Sequence, residues 1–124
     1  MRSIIITILL ALSASAWGHQ FIPTYPELRP SYVPGIVTTR LELFNSRKDI
    51  EYYEVGVFDG NWNKVPFATD ERIFKVSYLG KKYLDIYIRN SDIQKVVYIC
   101  TTSKLLKVDT QRTVVSSKIC SKVK

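Results

Sequence analysis

From Ile36 the chain alternates in character. Val37, Thr39, Leu41 and Leu43 share one parity, and Thr38, Arg40 and Glu42 the other. Side chains on a strand point to opposite faces in turn, so a period of two predicts a half-buried strand. The polar run Asn45-Ser46-Arg47-Lys48-Asp49 ends it as a turn. Alternation resumes from Ile50 to Phe58, with Tyr53, Val55 and Val57 set against Glu54 and Gly56, before Asp59-Gly60-Asn61 turns the chain again. Residues 62–67 read as a short edge segment broken by Pro66. Further strands are predicted over 72–78, carrying Ile73, Phe74, Val76 and Tyr78, and over 83–89, with Leu84, Ile86 and Ile88 inward. Two more are predicted over 94–101 and 113–124. Leu79-Gly80-Lys81 and Asn90-Ser91-Asp92 are the turns between, and 104–112 reads mostly as loop.

Two stretches depart from this rhythm. Residues 19–35 hold Pro23, Pro26, Pro30 and Pro34. Proline lacks the N–H that a central strand donates, so this segment is expected as an extended arm or an edge strand, closed by Gly35. Ahead of it, Arg2 precedes an apolar run from Ile4 to Ala14 and small residues at Ser15, Ala16 and Gly18. Positive start, short apolar run and small-residue site are the three regions of a cleaved secretory signal peptide. Ala14 with Ala16 fits a cut after Ala16, and Ala16 with Gly18 a cut after Gly18. A membrane anchor is the alternative, but the run falls short of the roughly 20 residues that span a bilayer. The expected organisation is therefore a leader over 1–18, a proline-rich arm over 19–35 and one domain over 36–124. About seven short strands at spacings of roughly 8–12 residues predict an all-β, antiparallel immunoglobulin-like sandwich.

Composition then narrows the chemistry. Cys100 and Cys120 both lie in the exported part. An even pair in an oxidising compartment is expected as a disulfide, two buried free thiols being the alternative. The formal charge is +7, yet lysines and arginines recur through the domain as on polar strand faces. No basic cluster is coupled to a nucleic-acid motif, so nucleic acid is not expected as a partner. His19 is the one histidine. In a loose arm it builds no catalytic triad. After cleavage following Gly18 its free amine and imidazole would suit copper, but an incidental residue beside a cut site is the simpler reading. His, Cys and carboxylates show no metal-ligand spacing, and there is no phosphate loop. No enzyme, cofactor or metal is expected, nor any stable membrane span once the leader is removed. The eight tyrosines are expected as core and rim of the sandwich rather than as a sugar- or protein-binding face.

The stretch Thr39-Arg40-Leu41-Glu42-Leu43-Phe44-Asn45, an alternating strand ending in Asn before a polar turn, resembles the second strand of the periplasmic pilus chaperones, the PapD-like family. Glu51 to Phe58 followed by Asp59-Gly60, Phe74 to Gly80, and the apolar run Val96-Val97-Tyr98-Ile99-Cys100 are similar to its later strands. Ser121-Lys122-Val123-Lys124 is similar to the close of its seventh strand. The resemblance covers roughly residues 21–124, the first domain of such a chaperone. Family members carry a second immunoglobulin-like domain, so a chain stopping at Lys124 implies a single-domain relative or a shortened member. The family mechanism lends the seventh strand to a pilus subunit that lacks one. The resemblance implies Val115, Ser117 and Ile119 as the alternating positions, although Ser117 makes a poor plug. It implies Lys124, with Arg29 from the first strand, as the cations holding a subunit's terminal carboxylate. A long-loop subclass ties its sixth and seventh strands by a disulfide, which Cys100 and Cys120 would mimic. The implied function is a non-enzymatic, periplasmic chaperone-like or assembly protein that binds another exported protein, a pilus-type subunit among the candidates, through a strand edge. A pilus or envelope structural subunit and a secreted ligand-binding immunoglobulin-like module are the alternatives.

Overall fold

The computed structural model describes residues 18–105 and 116–124. Residues 1–17, most of the expected leader, and the segment 106–115, with Val115 in it, lie outside the described residues. Among those described, eight strands form two antiparallel sheets packed face to face: β1 (His19–Ile22), β2 (Arg29–Pro30), β3 (Ile36–Asn45), β4 (Tyr52–Phe58), β5 (Ile73–Lys75), β6 (Lys81–Arg89), β7 (Tyr98–Lys104) and β8 (Lys118–Lys122). In the first sheet β6 pairs along one edge of β3, while β1 and β2 share the other, end to end. The second sheet runs β5-β4-β7-β8. The architecture is an immunoglobulin-like sandwich.

The alternation read from the sequence sets the core. Leu41, Leu43, Ile86 and Ile88 from the first sheet meet Tyr53, Val55, Val57, Phe74 and Ile99 from the second, all buried. Each such side chain contributes on the order of 1.5–3 kcal/mol relative to exposure. The proline-rich stretch is an edge. Pro30 stands opposite Val37, on the parity of β3 that bonds to β6, so its missing N–H forfeits no ladder bond. After Ile22 the chain leaves β3 and crosses to the second sheet. There the carbonyls of Thr24 and Pro26 accept the N–H groups of Lys122 and Lys124, at 2.9 and 3.1 Å. A segment poor in N–H groups thus serves as an acceptor.

Four boundaries differ from the pattern. The strand expected over 94–101 begins at Tyr98 and runs to Lys104, because Asn90–Lys95 form a short 3-10 helix. Its Asp92 is buried and ion-paired with Arg89 and Lys95. Six residues are too few to display a helical period. The last strand is Lys118–Lys122, shorter than 113–124. The strand expected over 72–78 is Ile73–Lys75, and the edge expected over 62–67 contributes a single bridge, Phe58 to Lys64.

Asn45 joins the turns at one end of the sandwich. Its Nδ2 donates to the carbonyls of Ile50 and Val76, at 2.8 and 2.9 Å, and its Oδ1 accepts from the Arg47 N–H and the Tyr53 hydroxyl. The side chain is fully buried with its hydrogen-bonding groups met. Burial is also the main reason that the Tyr53 hydroxyl's pKa is pushed up to about 12.

Candidate functional site

Arg29 and Lys124 lie far apart in sequence and meet in space. The crossing segment from Pro23 carries Tyr25 and Glu27 over the seam between the two sheets. Arg29 follows in β2, and Lys124 arrives just beyond β8. These residues, with Thr39 and Arg40 of β3, line a cleft of about 510 Å³. Glu27 sits between the two cations: its carboxylate lies 3.7 Å from Arg29 Nη2 and 3.7 Å from Lys124 Nζ. All three side chains are more than half exposed, so these pairs add little to stability. What they provide is an arrangement in which two cations already converge on a carboxylate.

The cleft also sits at a gap in backbone pairing. Hydrogen bonds from Ser46 N–H to the Gly18 carbonyl and from Ser31 N–H to the Ile36 carbonyl show that even-numbered residues of β3 bond toward β1 and β2. The β1 pairing ends at Glu42 and the β2 pairing starts at Thr38. Arg40 therefore has no strand partner on that edge among the described residues. Its guanidinium is committed elsewhere, to a two-pronged pair with Asp85 at 2.8 and 3.1 Å. That bond is the main cause of a lowered Asp85 pKa.

The expected donor strand presents a different face. Ser117 Oγ lies 3.0 Å from His19 Nδ1, and Ile119 packs against the core. Both side chains turn toward their own domain. Val115 lies outside the described residues. The outward backbone edge of β8 is partly covered, because Lys122 and Lys124 donate to the crossing segment. Among the described residues the N–H groups of Lys118 and Cys120 meet no backbone partner on that edge.

Cys100 and Cys120 are bonded, with Cα atoms 4.0 Å apart. They stand directly opposite in the β7–β8 register. The bonds Ser103 N–H to Ser117 and Val123 N–H to Val97 place odd β7 residues at hydrogen-bonded positions. The cysteines thus occupy a non-hydrogen-bonded pair, where side chains come closest. Gly56 of β4 stands opposite Cys100 of β7 and leaves room for the Phe58 ring: a Cβ at 56 would lie 3.0 Å from it. Trp62 stacks on Tyr98 at 4.3 Å, and the Lys118 ammonium lies over the Phe58 and Trp62 rings.

His19 is not in a loose arm. It is 4 % exposed, its Nε2 lies 2.9 Å from Thr101 Oγ1, and its ring meets that of Tyr53 at 4.8 Å. Burial lowers its pKa, the Thr101 backbone opposes this, and nearby Arg47 adds to the lowering. The imidazole ties β1 of one sheet to β7 of the other. Its weight, like that of Glu27, was hidden in the sequence, since neither stands in an alternating run.

No known protein-family model matches the chain, and no curated protein sequence does. Among solved structures, the PapD-like (ASH) domain 7 of human CEP192 is similar in fold, with a TM-score of 0.56 at 10 % sequence identity, covering 90 % of this chain and 93 % of that one. The likeness supports a PapD-like immunoglobulin fold and carries the fold alone.

Proposed function

We propose that this chain is a non-enzymatic, exported assembly or chaperone-like protein that holds another exported protein at the seam between its two sheets. The observation that carries the reading is the convergence of Arg29 and Lys124 on a carboxylate in an open cleft beside unpaired backbone. Two cations on a semi-rigid edge suit a terminal carboxylate, the strongest simple acceptor that a peptide end offers. The open N–H groups of Lys118 and Cys120 and the gap at Arg40 suit main-chain pairing with an extended segment. Because Ser117 and Ile119 face inward, backbone rather than plugging side chains would supply the pairing. The Cys100–Cys120 bond supports life in an oxidising compartment, and a periplasmic or secreted location follows from the leader-like N-terminus. The PapD-like label on the structural neighbour supports the same scaffold and says nothing of its use here.

The test is capture. The chain, tagged and expressed in its own compartment, is recovered from envelope or secreted extract under mild conditions and its companions are identified by mass. A one-to-one complex with a single exported protein is the expected result. A polymer ladder of the chain itself would instead make it a structural subunit, and recovery with no companion would contradict the reading.

A further inference from the structure

The far edge of the first sheet carries a second surface, which shares only Arg40 with the cleft. β6 pairs with β3 on one side, and on its other side meets a single bridge, from Ala68 to Tyr87. The bond from Asn45 N–H to the Gly80 carbonyl fixes the parity of the β3–β6 ladder: even residues of β6 bond inward, odd residues outward. Tyr87, an odd residue, exchanges both its bonds with Ala68, as this parity requires. Lys81, Tyr83 and Asp85 are then left with N–H and C=O groups pointing away from the sheet, unpaired among the described residues. Such an edge is a template for another strand.

We propose that a second copy of this chain pairs here, β6 to β6, antiparallel about a two-fold axis through Tyr83. The charges are self-complementary in that register. Lys81 falls opposite the second copy's Asp85, and Asp85 opposite its Lys81, at hydrogen-bonded positions where both backbone bonds are exchanged. Arg40 pairs with Asp85 and Glu42 with Lys81 within each copy, at 2.8 and 3.6 Å. The alternation of sign therefore continues across the junction. Tyr83 is 59 % exposed and meets its symmetry mate at the axis, with Arg40 over its ring. A shift of register by two residues would set Lys81 against a tyrosine and lose both complementary pairs, so the charges select one pairing. The same patch serves both copies, and the assembly closes as a dimer.

Sedimentation velocity on the purified chain over a range of concentrations tests this. The expected result is a monomer–dimer equilibrium. Lys81→Glu sets Glu against Asp, and Asp85→Lys sets Lys against Lys, so each alone should weaken the dimer by roughly tenfold or more. An equimolar mixture of the two variants should restore it, because every facing pair is again of opposite sign. Tyr83→Pro, which removes an outward N–H and no bond to β3, should also yield monomers. It carries the decision should Asp85→Lys fail to fold, as judged by thermal melting. A chain that is monomeric at every concentration, whose edge then awaits a different protein, would overturn the proposal. So would a dimer indifferent to Lys81→Glu and Tyr83→Pro, or one that mixing folded variants does not restore.

Discussion

Asn45 and His19 do the work of fixing geometry from buried positions. Asn45 gathers the turn after β3, the start of β4 and the chain beyond β5. Replacing it by Ala strands two carbonyls, an N–H and a hydroxyl, each of which costs about 1–3 kcal/mol if left unmet. Asn45→Ala should lose on the order of 3 kcal/mol or more in chemical denaturation, and Tyr53→Phe, which removes one bond, about 1 kcal/mol. His19 supplies a pH dependence. Its folded pKa lies below the unfolded value of 6.5, so the unfolded chain takes up the proton first. Its contribution to stability is therefore complete above about pH 6.5 and lost as the pH falls below it. The melting temperature should drop as the pH falls below about 6.5, and the drop should flatten in His19→Gln. Arg47 is the charged neighbour that sharpens it, while Asp59 and Asp85, with lowered pKa values, act in a more acidic window. Gly18 adds a prediction about processing. Its carbonyl accepts from both the N–H and the hydroxyl of Ser46. A cut after Gly18 would convert that acceptor's peptide into a new chain end, whereas a cut after Ala16 keeps it. Intact mass of the processed protein should place Trp17 first.

Among the elements, the long strands were legible and the short ones were not. β3, β4 and β6 bury one face against the other sheet, so parity and burial coincide: Leu41 and Leu43, Val55 and Val57, Ile86 and Ile88 all lie where alternation puts them. Around 94–104 both faces of β7 are covered. Thr101 and Ser103 are buried among polar partners, and hydropathy alone places the strand too early. The His19 segment was obscure for a related reason. Its neighbours are prolines, and its role rests on contacts with residues some 80 to 100 positions away. The Cys100–Cys120 pairing was readable because an even pair of cysteines falls on two segments read as strands, and these are neighbours in the sheet. It closes a span of 20 residues, which constrains the unfolded chain by about 3 kcal/mol on the entropy argument. The double variant Cys100→Ala, Cys120→Ala should lose about that much, measured by urea unfolding against the wild type. Thiol titration of the denatured, unreduced protein should find no free thiol. Because the bond lies in β7 and β8, its loss should also loosen Lys118–Lys122, seen as faster amide exchange there than in β3.

At the scale of the molecule, the fold brings one end of the sequence to the other. The crossing segment from Pro23 lends its carbonyls to Lys122 and Lys124, and by doing so builds the cleft that holds Arg29, Glu27 and Lys124. The resemblance to PapD-like domains singled out both cations. Nothing in the sequence announced that Glu27 would stand between them, since its place depends on where the chain crosses. That carboxylate makes the proposed binding site directly testable. With a captured partner, or a peptide of its C-terminal residues, affinity is measured by calorimetry for the wild type, for Arg29→Ala with Lys124→Ala, and for Glu27→Gln. If the cleft receives a terminal carboxylate, the double variant should bind at least roughly tenfold more weakly. Glu27→Gln, which removes the internal competitor, should bind more tightly, and amidating the peptide's terminus should abolish the difference between the three. Equal affinities across all three proteins, or a Glu27→Gln variant that binds more weakly, would contradict the account.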